Sequence, residues 1–262
     1  MVKRISQRIY IALIIIFLYA PILVLIVLSF NKSKSRSKWG GFTFDWYKRL
    51  FQNENILNAL YTTLLIALLS ALFATILGTT LAIALNHMRR LPKAVLSSIA
   101  NIPMLNAEIV TGISMMLLFI AIDFKLGFSS VLIAHITFNI PYVLLSVAPK
   151  LRQTNHSTYE AALDLGAKPL YAFFKVIFPD IFPGILSGFL MAFTMSLDDF
   201  VISHFTRGAE VQTLSTKIYT ETRKGIKPEM YALSTLMFVS VLILLILINH
   251  RSAHAEKEKT IK

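Results

Sequence analysis

Cysteine is absent from the 262 residues, so this chain forms no disulfide bond, no reactive thiolate and no cysteine-ligated metal site. Charged residues are scarce, at 15% of the chain, and the phosphate-binding patterns GxxxxGKS and GxxxxGKT do not occur. Any ATP chemistry in which this chain takes part must therefore come from a partner.

Hydrophobic residues, by contrast, make up 55% of the chain and lie in long uninterrupted blocks. A bilayer core of about 30 Å is crossed by roughly 20 helical residues, and six blocks are long enough. These blocks are Tyr10–Phe30, Ala59–Leu85, Leu96–Ile122, Phe128–Ala148, Ile181–Phe205 and Met230–Ile248. Since the apolar runs are continuous rather than alternating, they predict helices and not a barrel. The sequence therefore predicts an all-α polytopic membrane protein with six transmembrane helices.

The net charge of +12 is compatible with nucleic-acid binding, but basic residues also crowd the loops of membrane proteins. The second explanation suits a chain this apolar, and we expect no nucleic-acid partner. The first apolar block follows a charged start, MVKRISQR, as a signal peptide would. Its run of about 20 apolar residues is too long for a signal peptide, and no small-residue cleavage site follows, so we expect a retained helix.

A long connection, residues 149–180, separates the fourth and fifth blocks and is expected to have a structure of its own. Ser157 and Glu160 have the spacing of a capping box, which predicts a short helix over Thr158–Leu165. Gly166 is expected to end that helix, because glycine adopts positive φ without a steric penalty.

A second helix is predicted in the same connection, with Pro169 in its first turn and Pro179 at its end. The residues expected on one apolar face of this helix are Leu170, Phe173, Phe174 and Ile177. An exposed apolar face of this kind has two interpretations. It belongs either to an amphipathic hairpin on lipid headgroups or to a docking surface for a cytoplasmic partner.

The connection also carries a motif with fixed spacing: Glu160-Ala161-Ala162, three residues, Gly166, nine residues, and then Val176-Ile177-Phe178-Pro179. This pattern resembles the EAA loop of ABC-importer permeases, in which Ile and Leu stand where Val176 and Phe178 stand here. The resemblance implies a type I ABC importer permease fold, no cofactor and no catalytic activity, and a cytoplasmic ATPase dimer as partner. It implies an ATPase-coupling role within residues 150–180 for Glu160, Ala161, Ala162 and Gly166.

An ATPase-facing loop must lie inside the cell, so the resemblance implies that both termini of a six-span chain are cytoplasmic. A slight excess of Lys and Arg on the segments that share that side agrees with this orientation. We expect a multi-pass protein of the cell (inner) membrane. Its expected parts are a first helix with an external segment (1–58), a transmembrane domain (59–250) and a cytoplasmic tail (251–262).

Four further stretches are distinctive: SFNKSKSRSKWGGFTFDWYKRLF (Ser29–Phe51), PMLNAEIVTGIS (Pro103–Ser114), SLDDFVISHFTRG (Ser196–Gly208) and GIKPEMYALST (Gly225–Thr235). With them the resemblance extends along nearly the whole chain to the C-type permease subunit of spermidine/putrescine importers. It implies a heterodimer with a second permease subunit in the lipid bilayer, an extracellular or periplasmic polyamine-binding protein, and polyamines as substrates.

Two adjacent carboxylates, Asp198 and Asp199, lie in the fifth apolar block, where each charge costs about 2.5–3.5 kcal/mol to insert. Polyamines are flexible chains of ammonium groups, and a path for them through a low dielectric needs fixed negative charge. We therefore assign the substrate pathway to this pair together with Glu108, Ser196 and Trp46.

Helical projections predict which faces these residues occupy. In the fifth block a stripe of small side chains, suited to close helix packing, runs through Gly184, Gly188, Ala192 and Ser196. Asp199 projects onto that stripe. In the third block a shared polar face is predicted for Ser97, Asn101, Glu108 and Gly112, with a kink at Pro103.

Each assignment to the pathway has an alternative. Asp198 and Asp199 could lie at an external helix end and pair with Arg207 or Lys217. Glu108 could be a neutral, hydrogen-bonded core residue near the middle of the bilayer.

Aromatic and imidazole side chains also have structural interpretations. Trp46 could belong to an interfacial aromatic belt rather than contact ammonium groups. A polar stripe on the fourth helix consists of His135, Asn139, Tyr142 and Ser146. We interpret His135 as a satisfied structural residue and leave it out of the pathway.

Two other functions compete with a polyamine importer. An ion-coupled secondary transporter of a cationic solute could use the same carboxylates, but the inverted repeats common in such proteins are not evident. An ABC permease for another small solute would share the loop. An intramembrane protease is disfavoured, because adjacent residues of a helix point about 100° apart and form no dyad by themselves.

Overall fold

The computed structural model describes residues 2–35, 37–223, 227–240 and 242–243, and within these ranges the backbone is almost entirely helical. An isolated antiparallel bridge joins Asn31 to Phe42. The helices are α1 (Val2–Ser29), α2 (Asp45–Gln52), α3 (Glu54–His87), α4 (Arg90–Leu105), α5 (Glu108–Ala121), α6 (Phe128–Gln153), α7 (His156–Asp164), α8 (Pro169–Ala172), a π-helical turn (Phe173–Ile177), α9 (Phe178–Asp198), α10 (Val201–Thr206), α11 (Leu214–Arg223) and α12 (residues 228–240).

The chain divides into two compact units. Unit 1 consists of Met1–Leu57 and Ile218–Lys262, and unit 2 of Asn58–Lys217. The division expected from the sequence, at residue 58 and again at residue 250, stays a prediction, and its cytoplasmic tail lies outside the described residues.

Four helical segments are long and apolar enough to cross a membrane: Gln7–Ser29, Glu54–His87, Phe128–Gln153 and Pro169–Asp198. The pair α4 and α5 makes a fifth candidate, although its two helices meet at 105°. The predicted last span, Met230–Ile248, lies partly outside the described residues. The all-α membrane fold is therefore confirmed, whereas the count of six spans stays a prediction.

The third apolar block was expected to be one kinked helix, and this prediction was wrong. Helix α4 ends at Leu105, Asn106 and Ala107 are extended (ψ 152° and 134°), and α5 begins at Glu108. Pro103 lies in the last turn of α4, where its missing N–H weakens the helix just before the break. Ser97 and Asn101 therefore do not share a helix with Glu108.

The fifth block also has different bounds from those predicted. Its span begins at Pro169 and ends at Asp198, where Asp199 turns the backbone away (ψ 125°). Pro179 was expected to stop the preceding helix but lies in the first turn of α9. The π-helical turn explains this. The Phe178 N–H bonds the Phe173 carbonyl, five residues back, and Pro179 follows in the first turn of α9, where a missing N–H is tolerated.

The stripe of small residues on α9 is confirmed as a packing surface against α6. All four of its members are buried. A Cβ at Gly188 would lie 3.1 Å from the Val143 Cα, and a Cβ at Gly184 would lie 2.9 Å from the Ser146 carbonyl oxygen. The two helix backbones can approach this closely only because the side chains between them are missing.

Replacing Gly184 with Val is expected to force α6 and α9 apart, since the Ser146 carbonyl belongs to a helix backbone and cannot swing away. Overpacking of this kind costs about 1–3 kcal/mol, which should lower the thermal unfolding midpoint of the detergent-solubilised protein by several degrees. Gly127→Val is the matched control, because no atom lies within 4 Å of a Cβ there and φ is 171°. Equal midpoints for the two variants would contradict the packing argument.

Candidate functional site

A buried polar network inside unit 2 surrounds the imidazole of His135 on α6, which is only 1% exposed. Its Nδ1 lies 2.6 Å from the Ser196 Oγ of α9. Its Nε2 lies 3.2 Å from the Asp199 Oδ2 and 3.0 Å from the Ser203 Oγ of α10. One side chain therefore connects α6 to the end of α9, to the break that follows and to α10.

Asp199 has a structural role in this network as the cap of α10. Its Oδ1 accepts the Ile202 N–H at 3.2 Å and its Oδ2 accepts the Ser203 N–H at 2.8 Å. The first amides of a helix lack partners within the helix, and a carboxylate satisfies them while meeting the positive end of the helix dipole. The expected alternative, a pair between Asp199 and Arg207, is not formed, since an Arg207 Nη donates to the Val211 carbonyl at 3.0 Å instead.

Ser196 lies inside the same network and is buried. The Ser70 hydroxyl of α3 donates to the Ser196 Oγ at 3.0 Å. An ionised carboxylate can only accept, so the His135 Nε2 carries a proton towards Asp199. In the neutral imidazole, Nδ1 is then the acceptor of the Ser196 hydroxyl. This set of donors and acceptors leaves each of its members with a partner.

Asp198 differs from Asp199 in its exposure and in its contacts. It is the last residue of α9 and is exposed, whereas Asp199 is 9% exposed. Among the described residues no ion pair reaches the Asp198 carboxylate. Asp199 and Glu108 both lie close enough to act on it electrostatically. The two adjacent carboxylates therefore occupy different environments, one satisfied in the interior and one open.

Glu108 is the first residue of α5 and is exposed, not the mid-helix residue that the sequence predicted. In this structure Glu108 is therefore not the neutral, hydrogen-bonded core residue that the alternative interpretation expects. A carboxylate is favourable at a helix N-terminus. One turn further along α5, a Cβ at Gly112 would lie 3.1 Å from a Phe205 ring carbon and 3.4 Å from the Ile202 Cα of α10. This close packing of α5 on α10 brings Glu108 within electrostatic reach of Asp198.

Trp46 belongs to α2 in unit 1, where it is buried. Its indole N–H donates to the Asn31 carbonyl at 2.7 Å, and the Arg49 guanidinium lies 5.3 Å from the ring centre. The indole hydrogen bond joins α2 to the segment that follows α1, whereas the Arg49 contact lies within α2. A contact between Trp46 and a substrate stays a prediction.

The connection before α9 contains the predicted helix and turn, but its cap differs. Helix α7 begins at His156, and the Ser157 N–H donates to the Asn155 Oδ1 at 3.0 Å. The predicted capping box between Ser157 and Glu160 was therefore wrong, because an Asn side chain readily bonds the amide two residues on.

Gly166 ends α7 with a positive φ of 85°, as predicted. Its N–H donates to the Leu163 carbonyl at 2.8 Å, and the Ala167 N–H donates to the Ala162 carbonyl at 3.1 Å. This is the paired bonding of a Schellman turn, which satisfies the last carbonyls of the helix. Ala162 thus contributes its backbone to the turn, whereas the side chains of Glu160 and Ala161 are exposed.

The apolar face predicted after this turn is divided between two surfaces. Phe173 and Ile177 pack inwards against the core of unit 2. Leu170 and Phe174 are exposed, together with Leu165, which is 90% exposed at the tip of the loop. The loop therefore presents an apolar tip beside the Glu160 carboxylate.

Sequence reasoning interpreted His135 correctly as a satisfied residue but missed its partners. The polar stripe on α6 was the available signal, yet nothing local shows that Asp199, Ser196 and Ser203 converge on it. Asn139, one turn further along, is fully buried, and both of its amide atoms lack a hydrogen-bond partner. Within the described ranges, no three His, Asp or Glu side chains are grouped to hold a metal ion.

Comparison with known proteins adds independent information. A family described as "binding-protein-dependent transport system inner membrane component" matches residues 74–253. The spermidine/putrescine transport system permease protein PotC of Escherichia coli is 37% identical over 246 residues, which cover 94% of this chain and 93% of PotC. The putrescine transport system permease protein PotI of the same organism is 37% identical over 250 residues, covering 93% and 89%.

A solved structure shares the fold. The structure of a bacterial ABC transporter involved in the import of the acidic polysaccharide alginate contains a chain that aligns with a TM-score of 0.71. The alignment covers 97% of this chain and 95% of the other at 17% sequence identity, so it indicates the fold alone.

Substituting Asn for each of the adjacent aspartates is expected to change stability in opposite directions. Asp199→Asn leaves one of the converging N–H groups without an acceptor and should destabilise the protein by about 1–3 kcal/mol. Asp198→Asn removes a negative charge from the C-terminal end of α9, where the helix dipole disfavours it by about 0.3–1 kcal/mol. Thermal unfolding in detergent measures both. A lower midpoint for Asp198→Asn than for Asp199→Asn would contradict this assignment.

Proposed function

This chain belongs to the family of binding-protein-dependent transport system inner membrane components, and on that premise we propose that it is the permease subunit of an ATP-driven polyamine importer. The family consists of transport permeases rather than enzymes, so ATP hydrolysis is assigned to a separate subunit. The observation that carries the substrate proposal is the pair of exposed carboxylates Asp198 and Glu108, which lie at the end of α9 and at the start of α5, the helix that packs on α10. It is supported by the similarity to PotC, a spermidine/putrescine permease, and to PotI, a putrescine permease.

Two open carboxylates suit a polyamine for electrostatic reasons. The Asp199 carboxylate accepts hydrogen bonds from His135 and from two backbone amides, whereas the exposed Asp198 and Glu108 carboxylates act on each other as like charges. An ammonium group between or beside them relieves that repulsion and regains part of the stabilisation it lost with its hydration shell. Because the two groups are exposed rather than caged, the attraction is moderate, and the substrate can leave.

The remaining parts of the proposal concern assembly. The exposed loop with Glu160, Ala161, Ala162 and Gly166 docks its apolar tip in a cleft of a cytoplasmic ATPase dimer. This orientation makes both termini cytoplasmic. A second permease subunit completes the path as a heterodimer, and an extracellular or periplasmic binding protein delivers the polyamine. Ser196 and Trp46 remain proposed members of the pathway.

Uptake of labelled spermidine and putrescine by the complete importer tests the role of the two carboxylates. Asp198→Asn and Glu108→Gln are expected to reduce uptake about tenfold or more, since each removes a counter-charge of the ammonium groups and a tenfold change corresponds to about 1.4 kcal/mol. Glu108→Asp should retain part of the activity. Uptake is compared at equal amounts of assembled complex.

Three outcomes would contradict the proposal. Undiminished uptake in both charge-removing variants would exclude these carboxylates from the path. Uptake that needs an ion gradient but no ATP would indicate an ion-coupled transporter. Competition by other small solutes but not by polyamines would indicate a different substrate.

The docking loop is tested at Gly166. No atom lies within 4 Å of a Cβ at this position, so substitution strains only the backbone, whose φ is 85°. Val resists positive φ strongly and should abolish substrate-stimulated ATP hydrolysis, whereas Asn tolerates it and should retain most of it. Gly41→Val is the matched control, with a φ of 101° and equally open surroundings in the segment after α1. Normal stimulation in Gly166→Val would contradict the coupling role.

A further inference from the structure

The orientation of Asp198 depends on where α9 stops, and the stop is held by His135 from a different helix. Asp199 leaves the helical conformation at this point, with φ −59° and ψ 125°. Its carboxylate is fixed by the imidazole on one side and by the first amides of α10 on the other. The direction in which α10 departs is therefore determined by contacts that converge on one side chain of α6.

We propose that His135 is a positioning residue of the substrate path. It fixes the break between α9 and α10 and thereby sets the spacing between the Asp198 and Glu108 carboxylates, which selects among polyamines of different length. This inference rests on the proposed polyamine function. Asp199, on this view, acts through position and does not meet the substrate.

The shape of the imidazole suits it to this position. Its two nitrogens lie on different sides of a rigid ring, so one can accept from Ser196 while the other donates to Asp199 and lies near Ser203. The amide of Asn or Gln carries its donor and acceptor at one end and cannot reach both sides. The surrounding atoms are fully buried, so no solvent replaces a lost partner.

The position of α10 is transmitted to Glu108 by direct packing. Gly112 of α5 lies against Ile202 and Phe205, and Glu108 is one helical turn before Gly112. Ile202 is also the residue whose N–H is bonded to Asp199. A rotation of α10 therefore moves α5, and the distance between Asp198 and Glu108 changes with it.

Substrate length is the property that this distance controls. A diamine and a triamine present their ammonium groups at different spacings, so a path with two open carboxylates at a fixed separation favours one over the other. Loss of the positioning contact should change the preference, whereas loss of folded protein alone should reduce the transport of all polyamines equally.

A double-mutant cycle in the complete importer tests the proposal. His135→Gln, Asp199→Asn and the double variant are compared by KM and maximal rate for putrescine and for spermidine, normalised to assembled complex. We expect each single variant to change the ratio of the two KM values by about fivefold or more. The double variant should be no worse than the more severe single variant, because both changes release the same break.

Thr137→Val is the control, since among the described residues this α6 hydroxyl bonds the Ile133 carbonyl of its own helix and no other group. It should leave both KM values unchanged. If the His135 variants do not assemble, Ser203→Ala removes the hydroxyl that contacts both the imidazole and the Asp199 carboxylate, and it should shift the KM ratio in the same direction by about twofold.

Several outcomes would overturn the inference. An unchanged KM ratio with a lower maximal rate would make His135 merely structural. Independent, multiplicative effects of the two substitutions would mean that Asp199 contacts the substrate directly. Failure of the proposed function is distinguishable, because Asp198→Asn would then leave uptake intact, whereas it impairs uptake if only the positioning role is wrong.

Discussion

The arrangement of the site depends on one interaction, the contact between the His135 imidazole and the Asp199 carboxylate. Both groups are buried, and either would carry a large desolvation penalty without a partner. The carboxylate also accepts two amides of α10, which supplies the further hydrogen bonds that a buried ion requires. The contacts of the Asp199 carboxylate with His135 and with the two amides stabilise one another. Their geometry determines where α9 ends and in which direction α10 begins.

The polar network in turn depends on the absence of side chains nearby. Gly184 and Gly188 let the backbones of α6 and α9 approach closely, and the 2.6 Å contact between His135 and Ser196 lies further along the same interface. Gly112 does the same for α5 and α10. Small residues and buried polar residues therefore act together, because short hydrogen bonds between membrane helices need close backbones.

Much of this structure could be predicted from local sequence, and the two misplaced helix ends share one cause. The small-residue stripe and the positive φ of Gly166 follow from residue chemistry alone. The break before Glu108 and the end of α9 at Asp198 did not follow, since hydropathy registers burial but not chain direction. At the start of α10, the first amides are satisfied locally by the Asp199 carboxylate, but that carboxylate is held by His135, which is distant in the sequence.

The helix that ends at Asp198 also connects the proposed docking loop to the proposed substrate path. From Pro169 in the docking loop to Asp198 the chain is helical over 30 residues, a length of about 45 Å. Its π-helical turn lies at the loop end, where Phe173 and Ile177 face inwards, and its other end is fixed by the His135 network. In the proposed importer, a displacement of the loop acts on a helix whose buried stripe of small residues packs against α6. The position most sensitive to that displacement is the Asp198 end of the helix. The chain leaves the helical conformation there, and the break is held by the Asp199 carboxylate and the His135 imidazole.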